Sequence, residues 1–434
     1  MLPFVRFFKI SLLLRSLKIK MEYTKHCLSN GLRILVNSDY SSPMVAINIL
    51  YDIGARDEDP NLTGFAHLFE HLMFGGSVNI PDYDSPLQLA GGDNNAFTNN
   101  DYTDYHLTLP FQNIETGFWL ESDRMNELAF SQESLDVQRK VVIEEYRQRY
   151  LGQPYGDSWL YLKPLAYKVH PYLWPTIGKE IRHIEEARLQ DVKNFFFSHY
   201  APNNAILTLS GSIKPDEAFR MAENWFGPIS PRDIKVRNIT PEPIQTEYRL
   251  LEIERPVPSP AVYLAWHTGD RFSREYYVTD LLSDIFSNGM SARLFLRLVK
   301  DQKLFSDIDA YITGDRDPGL FVISGRLANG ITPEAGIRAI QEEINRIIDG
   351  PIEERELNKV KNRAESQFLF SNMNVQNRAM NMAHFEWLGD AAMMDRELDL
   401  LRSVSIAEIR ETAQKVFRQT NCSCLIYRLN GEKI

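Results

Sequence analysis

Gly64-Phe65-Ala66-His67-Leu68-Phe69-Glu70-His71-Leu72-Met73-Phe74-Gly75-Gly76 decides how the rest of the chain is read. Apolar residues at 65, 68, 69, 72 and 73 recur at the spacing of one helix face, and the paired glycines end the run. Such a helix is largely buried. Residues four apart lie one above the other, so His67 and His71 project from one face at a separation suited to a single metal ion. Glu70 stands one step before His71, close enough to reach a water beside that ion. The bland alternative is a helix whose polar face carries two histidines by chance, which happens in on the order of one chain in a hundred of this size. Burial weighs further against chance, because buried imidazoles and a buried carboxylate need partners and a metal supplies them.

Upstream, Tyr23 to Leu28, Ser29-Asn30-Gly31 and Leu32 to Val36 predict a β-hairpin turning at Asn-Gly. Val45 to Ile53 is a β-branched run read as a central strand, ended by Gly54. The loop from Ala55 to Thr63 then leads into the metal helix, with Thr63 as its cap. Downstream, Asp84 to Ala90 reads as a short helix. The polar segment Asp93-Asn94-Asn95-Ala96-Phe97-Thr98-Asn99-Asn100 runs into an alternating strand, Tyr102 to Leu109. Two readings of that segment stay open: an edge strand able to pair with an extended peptide, or a plain exposed loop.

Ile114 to Glu127 predicts an amphipathic helix and Gln132 to Tyr150 a long, uninterrupted one. The second is the place to seek a further ligand. Four protein ligands close a structural zinc site, whereas a catalytic site uses three. Glu145 shares a face with Gln138, Val141 and Val142, read as the apolar side, while Glu144 sits beside Lys140 and Arg147. That favours Glu145 as the inward carboxylate.

Helices at about 187–200 and 215–226 flank a strand at Ala205 to Gly211, and the proline-rich stretch that follows reads as a linker. The second half then repeats the first. Ser259-Pro260-Ala261-Val262 opens a strand as Ser42-Pro43-Met44-Val45 does, and the apolar helix Tyr276 to Gly289 answers Phe65 to Gly75. Where the first copy has its histidines the second offers Tyr277, Thr279, Leu281 and Asp284, so it holds no metal. His267 and His384 stand alone and read as packed or surface residues. The organisation expected is a basic extension over 1–20, a metal-bearing domain over 21–228, a linker over 229–247 and a second domain over 248–434.

A net charge of −10 argues against a nucleic-acid partner, which calls for a basic stripe. No run of about 20 apolar residues exists to span a membrane. Of the three cysteines, Cys27, Cys422 and Cys424, the last two stand with one residue between them on one side of a terminal strand and read as reduced packing residues, which points to a reducing compartment such as the bacterial cytoplasm. The first twenty residues are basic, apolar and free of acids. They fit a targeting presequence, an amphipathic surface segment or an upstream extension with Met21 opening the functional chain, and the last is favoured.

The HLFEH pentad, the GGDNNAFTNNDYTDY segment, the VVIEEY helix and the two-copy layout resemble the insulinase/pitrilysin family of zinc peptidases, in which the metal motif is H-x-x-E-H. The single pair of copies is similar to the branch of the mitochondrial processing peptidase subunits and their small bacterial relatives. The resemblance implies an α+β fold of two homologous α/β-roll domains, each a mostly antiparallel sheet backed by helices, together forming half of a clamshell. It implies one Zn2+ per chain on His67, His71 and Glu145, with Glu70 as general base. It also implies that Asn95 and Ala96 lie on the edge strand that pairs with substrate backbone.

Two departures from the family pattern stand out. Gln138 occupies the place where the family often has a glutamate seven residues before the third ligand. Val299 and Ser306 occupy the places of an arginine–tyrosine pair that holds the substrate carbonyl, and neither Arg293 nor Arg297 restores it. The expected function is therefore a zinc metalloendopeptidase acting on peptides or unfolded polypeptide. It is expected as the metal-bearing subunit of a dimer whose related second chain supplies the missing pair, or as a homodimer. The rivals are a structural or assembly subunit and a peptide-binding module with a residual zinc site.

Overall fold

The computed structural model describes residues 21–235 and 237–429, so the basic segment 1–20 lies outside the described residues. The first sheet is built from β1 (Thr24–Cys27), β2 (Arg33–Ser38), β3 (Met44–Tyr51), β4 (Asp93–Thr98), β5 (Thr103–Pro110) and β6 (Ala205–Gly211). The second is built from β7 (Arg249–Arg255), β8 (Ala261–His267), β9 (Phe305–Ile312), β10 (Leu320–Leu327) and β11 (Cys422–Leu429). Their orders are β1-β2-β6-β3-β5-β4 and β7-β11-β8-β10-β9. After β1, the two sheets are strand-for-strand equivalents. β2 runs parallel to β6 and β7 to β11, and all other neighbours are antiparallel. The hairpin at Asn30-Gly31 forms as expected, with Gly31 at φ +90°.

The first half contributes the helices α1 (Phe65–Leu72), α2 (Asp84–Leu89), α3 (Ile114–Asn126), α4 (Gln132–Tyr146), α5 (Ser158–Ala166), α6 (Leu189–His199) and α7 (Pro215–Phe226). The second half adds α8 (Arg274–Ser287), α9 (Pro333–Ile348), α10 (Glu354–Ser371), α11 (Val375–Trp387) and α12 (Ile406–Val416). Two helices change sides. Met382, Ala383 and Trp387 of α11 pack with Leu35, Leu50 and Ile206 on the first sheet, and Thr208 Oγ1 donates to Ala379 O at 2.8 Å. Leu162 and Ala166 of α5 pack with Ala265, Val322 and Leu425 on the second sheet. Each sheet is thus covered on one face by its own helices and on the other by a helix from the opposite half. This is why β3 and β6 are apolar almost without alternation: both faces are buried.

Candidate metal centre

Helix α1 is the first structural requirement of the site. Phe65, Leu68, Phe69 and Leu72 are buried in the first core, which turns His67, Glu70 and His71 to the opposite, half-buried side. The helix does not start as expected. Thr63 is not its cap; its hydroxyl accepts from Lys179 N–H and lies 2.9 Å from His183 Nδ1. Gly64 takes the N-cap position at φ +90°, where a side chain is strained. The N-terminal N–H groups of Gly64 and Ala66 donate to the Glu58 carboxylate at 2.9 and 2.8 Å. A carboxylate from the preceding loop reaches further than a threonine hydroxyl and answers the positive end of the helix.

The third residue comes from α4. This helix is not uninterrupted: it widens to a π-turn over Arg147–Leu151. Glu145 faces inward with 18% of its side chain exposed, while Glu144 is 56% exposed. Val141, read as part of the apolar side, is itself exposed, so Val142 alone of that pair marks the buried face. Glu145 Oε2 lies 3.6 Å from His67 Nε2 and 3.4 Å from His71 Nε2. One donor atom from each of the three residues falls within 4.8 Å of the others. Among the described residues this is the one group of three or more such side chains able to share an ion.

The donor chemistry and spacing fit zinc. Bonds of about 2.0–2.1 Å in a tetrahedral shell put neighbouring donors about 3.3 Å apart, close to the separations here and longer than an ordinary hydrogen bond. Burial pushes the His67 imidazole down to about 4, with Glu145 drawing it back and His71 and Arg149 adding to the fall. It is therefore a neutral lone-pair donor at pH 7. The Glu145 carboxyl is held low by the adjoining His71 imidazole, against burial, and by the charge of Arg149. Arg149 Nη1 grips its other oxygen, Oε1, at 2.8 Å.

Glu70 is pushed upward by burial, opposed by a hydrogen bond from the Thr98 side chain and by His71. Thr98 ends β4, so the end of that strand lies near Glu70. Sequence reasoning passed over Thr98 and Arg149. The signals were there: Thr98 lies two residues from Ala96 on the same side of a strand, and Arg149 one helical turn beyond Glu145.

The segment 93–100 proves to be strand rather than loop. Among the described residues β4 pairs with β5 alone, which leaves its other edge without a partner strand there. Asn95 and Ala96 lie on β4, and Asn95 Oδ1 accepts the Ala96 N–H at 2.8 Å. Gln138 is half-buried near Gly75, at the end of α1. In the second half, Val299 packs against the core and Ser306 is exposed on the edge strand β9. Arg293 is bound in a two-pronged pair with Glu356, and Arg297 lies 3.5 Å from buried Glu343. His267 bonds to Ala166 O, and His384 packs against Tyr102 and Trp387. Neither joins the cluster.

Two family models match the chain: "Insulinase (Peptidase family M16)" over residues 33–151, which contain His67, Glu70, His71 and Glu145, and "Peptidase M16 inactive domain" over 187–364. The chain belongs to the insulinase family, peptidase family M16. Zinc protease PqqE of Helicobacter pylori is 28% identical over 357 residues, covering 79% of this chain and 78% of that protein. The mitochondrial-processing peptidase subunit beta of Dictyostelium discoideum is 23% identical over 325 residues, 70% of this chain and 65% of that one. Among solved structures, a protease from Helicobacter pylori superposes with a TM-score of 0.88 at 24% identity, covering 94% of this chain and 99% of its own. That likeness establishes the two-domain fold. In the second half, the stretch matched by the model called inactive carries no counterpart of the three-residue cluster among the described residues.

Proposed function

We propose that this chain is a zinc metalloendopeptidase that cleaves peptides or unfolded polypeptide segments, and that it is the metal-bearing member of a pair. The observation that carries the reading is the convergence of His67, His71 and Glu145 within 4.8 Å, with Glu70 on the same helix turn. Those three residues hold one Zn2+ per chain. When bound, zinc supplies Lewis acidity and lets water give up a proton near neutral pH.

The remaining work falls to the chain itself. Glu70 takes the proton of the attacking water on its carboxylate and delivers it to the leaving amine. The free edge of β4 binds an extended substrate by main-chain hydrogen bonds, which selects unfolded segments over folded ones. Arg149 holds Glu145 in the orientation that presents Oε2 to both imidazoles.

One component is missing. Removing a single donor to the developing oxyanion costs ~2.7–4 kcal/mol in characterised hydrolases. Val299 and Ser306 supply none, and Arg293 and Arg297 are tied up within the second half. A related chain bearing an arginine–tyrosine pair completes the site across a shared chamber. That one relative is named as a subunit supports this pairing.

Two measurements test the reading. Glu70→Gln keeps zinc and lowers turnover by ~10²–10⁴-fold, the usual range for general acid–base catalysis. The chain assayed alone is far slower than with its partner; full activity from the purified chain by itself removes the partner from the account. Bound zinc and bound peptide with no products by mass spectrometry would instead mark a peptide-binding module.

A further inference from the structure

Five residues, Gly54 to Glu58, run between β3 and α1, and their bonds fan out to separate parts of the molecule. Gly54 abuts the turn after β4 so closely that a Cβ there would lie 2.5 Å from Asn100 O. The N–H groups of Ala55 and Arg56 donate to Asn99 O and Asn100 O at 3.1 and 2.9 Å. Asp57 takes Arg237 Nε from the linker at 2.7 Å, and Glu58 caps α1. This strap makes the metal helix and the end of the β4 edge one rigid piece.

The Arg56 side chain extends the strap to the other half. It is 4% exposed, and its Nη1 lies 3.1 Å from Asp101 in the β4–β5 turn and 2.9 Å from Asp317 in the β9–β10 turn. Asp101 also accepts the Arg316 N–H at 2.9 Å, and Asn100 Nδ2 donates to Asp315 at 2.7 Å. The turns of the two edge hairpins, one from each sheet, therefore meet on one guanidinium. Apolar packing would stabilise such a junction at least as well, because desolvating an ion pair offsets most of its attraction. What a planar, permanently charged fork adds is a fixed distance and angle between the groups it joins.

We infer that Arg56 is a positioning residue for peptide docking: through Asp101 it sets the β4 edge against α1, and through Asp317 it makes that setting depend on how the second half is seated. The inference rests on the peptidase reading given above, and its test separates the two. The variants are Arg56→Met, Arg56→Lys and Asp317→Asn. The last changes a residue 35% exposed in the second half, away from metal helix and edge strand, so it leaves folding intact.

Hydrogen exchange of segment 93–102 is measured first. Asp317→Asn and Arg56→Met speed it about fivefold or more, because local opening then needs fewer contacts broken. The second measurement is the affinity of a fluorescein-labelled, extended twenty-residue peptide, ~20 residues so that it spans the β4 edge, for zinc-loaded chain carrying Glu70→Gln. Both variants weaken it about tenfold, Arg56→Lys restores part of the loss, and zinc per chain is unchanged. Unaltered exchange, unaltered affinity, or zinc lost in step with affinity each overturns the role of Arg56. If exchange responds but the Glu70→Gln parent binds no peptide, the peptidase reading falls and takes the docking role with it. If parent and variants bind equally, only Arg56 is removed from the account.

Discussion

Helices α1 and α8 are the same helix in two halves of the molecule, put to different ends. Leu68, Phe69, Leu72 and Met73 are buried in one; Leu281, Leu282, Ile285 and Phe286 are buried at the same spacing in the other. That register places Asp280 and Asp284 where His67 and His71 stand. Each helix packs beside the edge strand of its own sheet, α1 on β4 and α8 on β9. Burial pushes the Asp280 carboxyl up to about 7, with Asp284 and Glu397 adding to the rise. Asp284 is raised by burial and drawn back by Asn288, Arg363 and Lys359. So the second copy meets its acid pair with cations from α10, where the first meets its imidazole pair with a carboxylate from α4. The fold is repeated while the chemistry lives in a few positions grafted onto it.

The largest effect follows from removing the group that has no counterpart. Glu145→Ala takes away a proposed zinc ligand, and since changes to residues that merely support a ligand cost 10–100-fold in metal affinity, the loss here is at least about 100-fold. Asp284→Ala changes zinc content not at all. Metal analysis after dialysis reads both. The converse graft sharpens the point: Asp280→His with Asp284→His leaves the stoichiometry at one zinc per chain, because Arg363 and Lys359 stand near that face and Glu397, the further carboxylate whose charge acts on Asp280, is already paired with Arg271 at 2.6 Å. A second equivalent of tightly held zinc would break the comparison.

Two histidines in the two halves differ in the same way. Burial pushes His384 down to about 4, as it does His67, and Nδ1 of each is shut off from solvent without a hydrogen-bond partner. His67 has a second imidazole and a carboxylate beside it; His384 has Tyr102, Trp387 and the charge of Arg271. The unfolded chain takes up a proton at position 384 below about 6.5, the folded chain only below about 4. Stability is therefore lost as pH falls through that window, by up to roughly 3 kcal/mol from this residue. His384→Phe flattens that part of the acid-unfolding profile of the metal-free chain, measured in urea between pH 7 and 4. Metal binding is untouched.

Much of this was legible in the sequence, and the reasons differ by residue. The hairpin at Asn30-Gly31, the strand through Val45 and the imidazole pair follow from local periodicity and turn chemistry. Glu145 was legible through its helix face, although Val141 was weaker support than it looked, because α4 leaves Val137 and Val141 exposed. What the pattern could not carry is partnership at a distance. An apolar stripe on α5 or α11 says that a sheet covers it, and nothing about which sheet. Arg56 reads as one more loop arginine until Asp317, 261 residues later, is found against it. The cap on α1 belongs to the same class.

That cap gives the smallest and most local test. Helix α8 is capped by its own Ser273, which accepts from Tyr276 N–H at 3.3 Å. Helix α1 has glycine at that position and borrows Glu58, which answers two N–H groups at once. Ser273→Ala costs ~1 kcal/mol, the ordinary value for a lost cap, and leaves zinc affinity alone. Glu58→Ala strands two buried donors beside the metal helix and sits at the top of the range, about 2 kcal/mol. Because α1 carries two of the three proposed ligands, losing its cap also weakens zinc binding, so zinc stabilises Glu58→Ala by less than the parent chain and the deficit grows with metal, whereas the Ser273→Ala deficit is the same with and without metal. Paired melting curves in zinc and in chelator decide it: equal zinc-induced shifts for the two variants would mean that Glu58 supports the helix without supporting the site.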